Sequence, residues 1–232
     1  MFPIKDINPR HRTPYVTFGL LILNIVAFIY QFNELYVQEM WVPFINMWAL
    51  IPVQLVNNPA LEAFTIITSM FLHGGLLHIG GNMLYLWIFG DNIEDVMGHG
   101  RFLTFYLLCG IVAALTHVVT DPASNIPTIG ASGAVAGVLG GYFVLFPMAS
   151  VRTVVPILLF RTFHLPAWVL LGFWFLMQLL NGYLALNAAQ ESGIAFWAHI
   201  GGFVAGVLLV KVFGDTRELS QRQIEFLQQK QM

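Results

Sequence analysis

The sequence predicts an all-α polytopic membrane protein, a bundle of six transmembrane helices with a membrane-embedded first outer loop and both termini in the cytoplasm. Three observations predict this class. The 232 residues are 57% hydrophobic and only 9% charged, whereas soluble domains carry about 25% charged residues. The mean hydropathy is +0.73, and apolar runs recur along the chain. So few charged side chains cannot cover a soluble surface of this size.

The charge balance also argues against other classes of protein. The net charge is −2, so no basic field attracts phosphates and we expect no nucleic-acid partner. The single cysteine, Cys109, excludes an internal disulfide framework. A soluble enzyme and a disordered protein are equally poor interpretations of this composition.

Six apolar runs are candidate spans, because a transmembrane helix needs about 20 mostly apolar residues. We place them at residues 15–32, 78–89, 102–119, 132–146, 167–186 and 194–213. The second and fourth runs are short as drawn, and the apolar segment 64–72 extends or precedes the second. The predicted organisation is a cytoplasmic N-terminal segment at 1–14, a membrane domain at 15–213 and a cytoplasmic polar tail at 214–232.

The loops between these spans carry the basic residues in one arrangement. Three precede the first span, one lies between spans two and three, two lie between spans four and five, and four close or follow span six. They are Lys5, Arg10, Arg12, Arg101, Arg152, Arg161, Lys211, Arg217, Arg222 and Lys230. Six alternating spans place all of them on one face, which the positive-inside rule makes cytoplasmic.

The first outer connection, residues 33–77, is too long and too apolar to be a simple connector. Trp41 and Trp48 lie in it among other apolar residues, which predicts a segment in the membrane interface. The first span has no small-residue cleavage site after it, so we expect no cleaved signal peptide. The absence of a transit-like leader favours a bacterial-type plasma (inner) membrane over an organelle.

Polar groups inside the spans are the candidates for function, because they are costly in a bilayer. His78 and Asn82 lie one turn apart in span two, Ser132 opens span four, and His199 lies about a turn and a half into span six. Small residues repeat every fourth position in spans four and six, which predicts close helix packing. They are Gly133, Gly137 and Gly141 in one span and Ala198, Gly202 and Gly206 in the other.

Close approach of spans four and six would bring the Ser132 hydroxyl to the His199 imidazole. A serine beside a histidine is the nucleophile–base pair of acyl transfer. Ser132 also begins a helix, where free N–H groups favour negative charge, and His78 and Asn82 could complete an oxyanion hole. Each residue alone has a simpler interpretation, namely packing for Ser132 and structural hydrogen bonding or helix capping for the others. No metal or cofactor is expected, because no zinc-ligand spacing appears.

Three sequence blocks together resemble the rhomboid family of intramembrane serine proteases. They are HGGLLHIGGN at residues 73–82, GASG at 130–133 and AHIGG at 198–202. The resemblance implies a Ser–His dyad with Ser132 as nucleophile and His199 as general base and acid, and His78 and Asn82 facing the oxyanion. It also implies a serine endopeptidase that cleaves in or near transmembrane segments of other membrane proteins, in an active site that opens to the outer side. By analogy, a lid or lateral gate would lie at residues 187–193 and in span five.

The chain departs from part of the family at Ala136, where other members place an aromatic ring under the catalytic histidine. What orients His199 is therefore left open, with Trp197 or a residue of span two as guesses. A catalytically inactive rhomboid-like protein that binds transmembrane clients is the main alternative, but such relatives typically lack the serine or the histidine. A small transporter or channel is a third interpretation, which the lack of charged residues deep in the spans disfavours.

Overall fold

The computed structural model describes residues 1–34, 40–155, 161–186 and 194–214. Six helices form the body of the molecule: α1 (Tyr15–Phe32), α6 (Leu76–Met97), α7 (His99–Thr120), α8 (Ser132–Leu145), α9 (Ala167–Leu186) and α10 (Phe196–Phe213). The short helices α2 (Trp41–Trp48), α3 (Pro52–Asn57), α4 (Pro59–Glu62) and α5 (Thr65–Thr68) lie between α1 and α6, and a 3-10 turn at Ser69–Phe71 follows them. The protein is thus a mostly helical, polytopic membrane protein.

Within the described residues, four helices are long and apolar enough to cross a bilayer, namely α1, α7, α9 and α10. The bent pair Pro59–Phe71 and Leu76–Met97, with an angle of 81° at the break, adds a fifth if it is counted as one span. Helix α8 is apolar but has only 14 residues, fewer than the ~20 that a full crossing needs. The count of six spans and the division into segments therefore remain predictions, as do the cytoplasmic termini.

The predicted bounds agree closely with the helices. Spans one and five coincide with α1 and α9, whereas α6 runs to Met97, beyond the end we drew at residue 89. The extension carries Asp91, Glu94 and Asp95, charges that a hydropathy criterion excludes. The predicted lid at 187–193 and nearly all of the predicted tail at 214–232 lie outside the described residues.

A small antiparallel sheet, which the sequence analysis did not anticipate, closes one end of the bundle. Strands β1 (Phe2–Asp6), β2 (Ser150–Val155) and β3 (Arg161–Pro166) pair in that order. In register, Phe2 lies opposite Val154 and Asp6 opposite Val151, with an irregularity between Pro3 and Lys5. The N-terminal segment is thereby tied to the connection between α8 and α9.

The end of α6 holds the N-terminal segment in place through three carboxylates. Both oxygens of Glu94 accept hydrogen bonds from the first turn of α1, from the backbone N–H of Val16 and from the N–H and hydroxyl of Thr17. Asp95 accepts from the backbone N–H groups of residues 11 and 12, and Asp91 pairs with Arg10 at 3.0 Å. Side chains from α6 therefore cap the start of α1, where its own backbone offers no partner.

The core lies between α6, α7, α8 and α10. Its largest fully buried side chains include Phe89, Phe105, Tyr106, Leu139 and Tyr142. Helices α1 and α9 are the least enclosed spans, with 28% and 22% of their apolar windows buried, against 44% for α7 and α10. Helix α8 is almost fully enclosed, with 10 of its 14 residues buried, while α1 and α9 present most of their surface outward.

Candidate active site

Ser132 is the first residue of α8, at the end of the bundle opposite the sheet. The turn before it depends on Gly130, which has a φ of +125° that other residues rarely adopt. Because Ser132 begins the helix, its backbone N–H has no carbonyl one turn earlier to bond. The chain therefore presents both a hydroxyl and a free backbone donor at one point.

The Ser132 hydroxyl contacts the imidazole of His199, with 2.8 Å between Oγ and Nε2. The contact depends on the packing of α8 against α10, where the backbones touch without intervening side chains. A Cβ atom at Gly202 would overlap the carbonyl of Gly133, and one at Gly206 would overlap that of Gly137. The predicted close approach of these two helices through their small residues is thus confirmed.

The other ring nitrogen of His199 is engaged by α9. Nδ1 of His199 lies 2.8 Å from Oε1 of Gln178, and the amide nitrogen of Gln178 donates to the backbone carbonyl of Trp174 at 3.3 Å. The indole of Trp174 lies beside the imidazole, with ring centroids 5.9 Å apart and planes tilted by 39°. The side chains in contact with His199 Nδ1 and with its ring are therefore on span five, whereas the guesses made from the sequence were Trp197 and span two.

His78 and Asn82, on α6, line the same cavity as Ser132 and approach the turn before it. His78 accepts a hydrogen bond from the Gly74 N–H at Nδ1, 3.1 Å away, which leaves Nε2 as the protonated nitrogen of a neutral ring. A Cβ atom at Gly130 would lie 2.7 Å from His78 Nε2 and 3.6 Å from Asn82 Nδ2. The two donors thus lie against the backbone turn that leads into Ser132.

The amide nitrogen of Asn82 is buried and has no hydrogen-bond partner among the described residues. Asn82 as a whole is only 7% exposed. A buried donor without an acceptor is costly unless a ligand or water satisfies it. The site therefore contains unused donor capacity next to the Ser132 hydroxyl.

These four side chains line one cavity of about 730 Å³. It extends from His199 and Trp174 past Ser132 to the turn that follows α7, where Asp121 and Ser124 form its wall. The first turn of α6 borders it with Leu77, which is 94% exposed. The cavity therefore connects the Ser–His pair with the end of the bundle opposite the sheet.

His73, which shares its sequence block with His78, does not contact Ser132 or His199. Its backbone N–H donates to Gln31 Oε1 at 2.8 Å, and its carbonyl accepts from Gln31 Nε2 at 2.6 Å. Its buried ring packs against Phe28 and against His78, at 5.1 Å between the His73 and His78 centroids. Its position thus supports the turn before α6 and the placement of His78.

Sequence reasoning missed Gln178, although the chain carried a signal for it. An amide inside an otherwise apolar span is costly in a bilayer and calls for a partner, and Gln178 met that criterion as well as Asn82 did. Among the described residues, no group of three or more His, Cys, Asp or Glu side chains is arranged to hold a metal ion.

Fold and site together define a polytopic helical membrane protein with a Ser–His pair and facing donors enclosed between its helices. The rhomboid domain model matches residues 60–216, well over half of the chain. The chain belongs to the rhomboid family.

Curated relatives agree with this assignment. Rhomboid protein 1, mitochondrial, from Saccharomyces cerevisiae is 30% identical over 199 residues, which are 83% of this chain and 51% of the yeast protein. Rhomboid protease GluP from Bacillus subtilis is 32% identical over 157 residues, or 66% of this chain and 26% of GluP. The chain thus spans about half the length of the yeast relative and about a quarter of GluP.

Proposed function

We propose that the chain is a serine endopeptidase that hydrolyses peptide bonds in or near the transmembrane segments of other membrane proteins. The observation that carries the proposal is the 2.8 Å contact between Ser132 Oγ and His199 Nε2, because a hydroxyl is a weak nucleophile until an adjacent base accepts its proton. Rhomboid proteins as a family act on transmembrane substrates within the membrane, and one relative is named a rhomboid protease.

In the proposed reaction, Ser132 Oγ attacks the carbonyl carbon of the scissile bond while His199 Nε2 takes the hydroxyl proton. The carbonyl oxygen becomes an oxyanion, and the Ser132 N–H with the His78 Nε2–H and the Asn82 amide are the donors available to stabilise it. Collapse of the tetrahedral intermediate expels the amine, which leaves with the proton from His199, and an ester on Ser132 remains.

Water then completes the cycle. His199 removes a proton from a water molecule, whose oxygen attacks the ester carbonyl, and Ser132 leaves with that proton as the alcohol. The cavity supports this step, because it joins the Ser–His pair to polar groups at the outer end of the bundle, among them Asp121 and Ser124. A helical substrate hides its carbonyls in hydrogen bonds, so we expect cleavage where helix-weakening residues such as Gly or Pro let the segment unwind.

The decisive experiment uses the purified protein in liposomes with a single-span reporter. We expect the unaltered protein to cleave the reporter and to be labelled by a fluorophosphonate, whereas Ser132→Ala and His199→Ala should do neither. Cleavage that survives both substitutions would show that Ser132 and His199 are not the catalytic dyad. A protein that binds the reporter but neither cleaves it nor reacts with the probe would instead be an inactive, client-binding rhomboid-like protein.

We further propose a bacterial-type plasma membrane as the location, with the Ser–His end of the bundle on the outer side. The proposed orientation rests on the predicted distribution of basic residues. Several relatives are named as mitochondrial. Ala123→Cys lies in the exposed turn after α7, and Met148→Cys lies at the opposite end of the bundle. In intact bacterial cells an impermeant maleimide should label the first variant only, and the reverse result would invert the topology.

A further inference from the structure

We propose that Gln178 is a positioning residue that selects the tautomer and the ring orientation of His199. The inference rests on the proposed function for its effect on turnover, but its effect on the histidine can be measured separately. Three contacts carry it: the 2.8 Å approach of Gln178 Oε1 to His199 Nδ1, the 2.8 Å approach of His199 Nε2 to Ser132 Oγ, and the bond from Gln178 to the Trp174 carbonyl.

The Trp174 carbonyl decides which end of the Gln178 amide faces the histidine. A backbone carbonyl only accepts hydrogen bonds, so the group 3.3 Å from it must be the NH₂ of the amide. The oxygen of the amide is then the atom that faces His199. Because that oxygen also only accepts, Nδ1 of the imidazole must carry the hydrogen between them.

A proton on Nδ1 leaves the lone pair of a neutral imidazole on Nε2. That is the nitrogen 2.8 Å from the Ser132 hydroxyl, so the ring is a proton acceptor where one is needed. In the opposite tautomer Nε2 would carry a hydrogen and could not receive the serine proton. After proton transfer the imidazolium keeps its Nδ1–H bond to Gln178, so the same amide oxygen also stabilises the charged ring.

The position of Gln178 argues that its contact with His199 is not incidental. The side chain is 9% exposed and sits on a mostly apolar helix, where an unsatisfied amide is expensive. Both of its ends are engaged, and Trp174, one turn earlier on the same face, places its indole beside the ring being oriented. The nearby titratable side chains are His78 from α6 and His117 from α7, and within the described residues neither bonds to Nδ1 of His199.

A buried amide can also serve only to hold two helices together, so the test must separate structure from positioning. Gln178→Met keeps the volume and removes the acceptor, and Gln178→Glu keeps an oxygen at the same reach. Asn181→Leu is the matched control, because it replaces an amide on the same helix that, within the part of the chain that the structure describes, makes no hydrogen bond to His199. Each variant is assayed in liposomes for kcat and KM on the reporter and for its rate of fluorophosphonate labelling.

We expect Gln178→Met to lower kcat about tenfold, the effect of losing one hydrogen bond, with KM within twofold. Labelling of Ser132 should slow in parallel, Gln178→Glu should recover most of kcat, and Asn181→Leu should match the unaltered protein. Equal kcat in Gln178→Met and the unaltered protein would overturn the inference, as would an equal loss in Asn181→Leu.

Nitrogen-15 spectra of the histidine-labelled protein test the tautomer without any turnover. The unaltered protein and Ser132→Ala should show His199 protonated at Nδ1, and Gln178→Met should shift the population toward Nε2. A tautomer that does not change in Gln178→Met would refute positioning by Gln178 even if the enzyme is active. Conversely, an inactive protein whose tautomer responds to Gln178 would reject the proposed function alone.

Discussion

Gly206→Ala tests whether the backbone contact between α8 and α10 sets the distance between Ser132 and His199. A Cβ at this position would lie 2.7 Å from the carbonyl carbon and 2.8 Å from the Cα of Gly137. Carbon atoms in contact prefer about 3.5–4.0 Å, so the two helices must move apart by about 1 Å. Both neighbouring atoms belong to the backbone, so no side-chain rotation can relieve the overlap.

The displacement has two measurable effects. Overpacking of this kind costs about 1–3 kcal/mol of stability, which should lower the unfolding temperature in detergent by several degrees. A shift of about 1 Å at the reacting groups can cost about 100-fold in rate, and it would carry Ser132 Oγ and His199 Nε2 from 2.8 Å beyond hydrogen-bond distance. Reporter cleavage in liposomes measures the second effect.

Gly19→Ala is the matched control, because Gly19 lies within α1 and an added Cβ there has no atom within 4 Å among the described residues. It should leave turnover unchanged and raise stability slightly through better helix propensity. If Gly206→Ala unfolds at the same temperature and cleaves within twofold of the unaltered protein, the contact does not position the dyad.

Asn82→Ala should lower kcat tenfold or more, since loss of one oxyanion donor lowers kcat by up to about 10²–10³-fold. An unchanged kcat would show that Asn82 is not an oxyanion donor. Burial raises the pKa of Asp6, the acceptor of the Tyr142 hydroxyl, to about 7. The folded protein therefore holds a proton that the unfolded chain releases near pH 4, and stability should fall as pH rises from about 4 to 7, by on the order of 2–4 kcal/mol. Unfolding temperatures at pH 5 and pH 8 measure this loss, and Asp6→Asn should abolish it; an equal loss in the variant would assign it to other groups. Glu94→Gln should lower the unfolding temperature, because an amide nitrogen cannot accept the α1 N–H groups and charged hydrogen bonds contribute about 1.5–3 kcal/mol each. Glu62→Gln, at a partly exposed position, should not.

Much of the fold follows from local sequence pattern. The bounds of α1 and α9 are set by uninterrupted apolar runs, which a hydropathy argument can find without any tertiary information. Helix α6 was drawn short because its last two turns carry Asp91, Glu94 and Asp95. Those charges are compatible with a helix because the N-terminal segment of the chain supplies their partners. That pairing joins residues far apart in the sequence, so local pattern does not reveal it.

The sheet was missed for a related reason. Strand β2 has an alternating pattern of burial, with Val151 and Thr153 inward, but its six residues are too few to stand out beside long apolar helices. Its partner β1 lies about 150 residues earlier in the chain. Nothing in either segment alone specifies that pairing.

The candidate site was predictable where a polar residue stands out because it lies within an apolar span. Ser132, His199, His78 and Asn82 were found in this way, and the structure brings them to one cavity. Gln178 was not, because it lies outside the serine and histidine blocks and is one of two amides on span five, the other being Asn181. The choice between Gln178 and Trp197 as the partner of Nδ1 depends on the rotation of α9 against α10, which residue spacing does not reveal.

The carboxylate of Glu94 has a consequence for how the protein is assembled. It completes the first turn of α1 through backbone groups 77 and 78 residues earlier in the chain. A ribosome that has delivered α1 to the membrane has not yet made the residue that finishes this turn. The start of α1 must therefore wait, with its N–H groups bonded to water or lipid headgroups, until α6 has been synthesised and inserted beside it. Docking of α6 is thus the step at which the first helix acquires its final end.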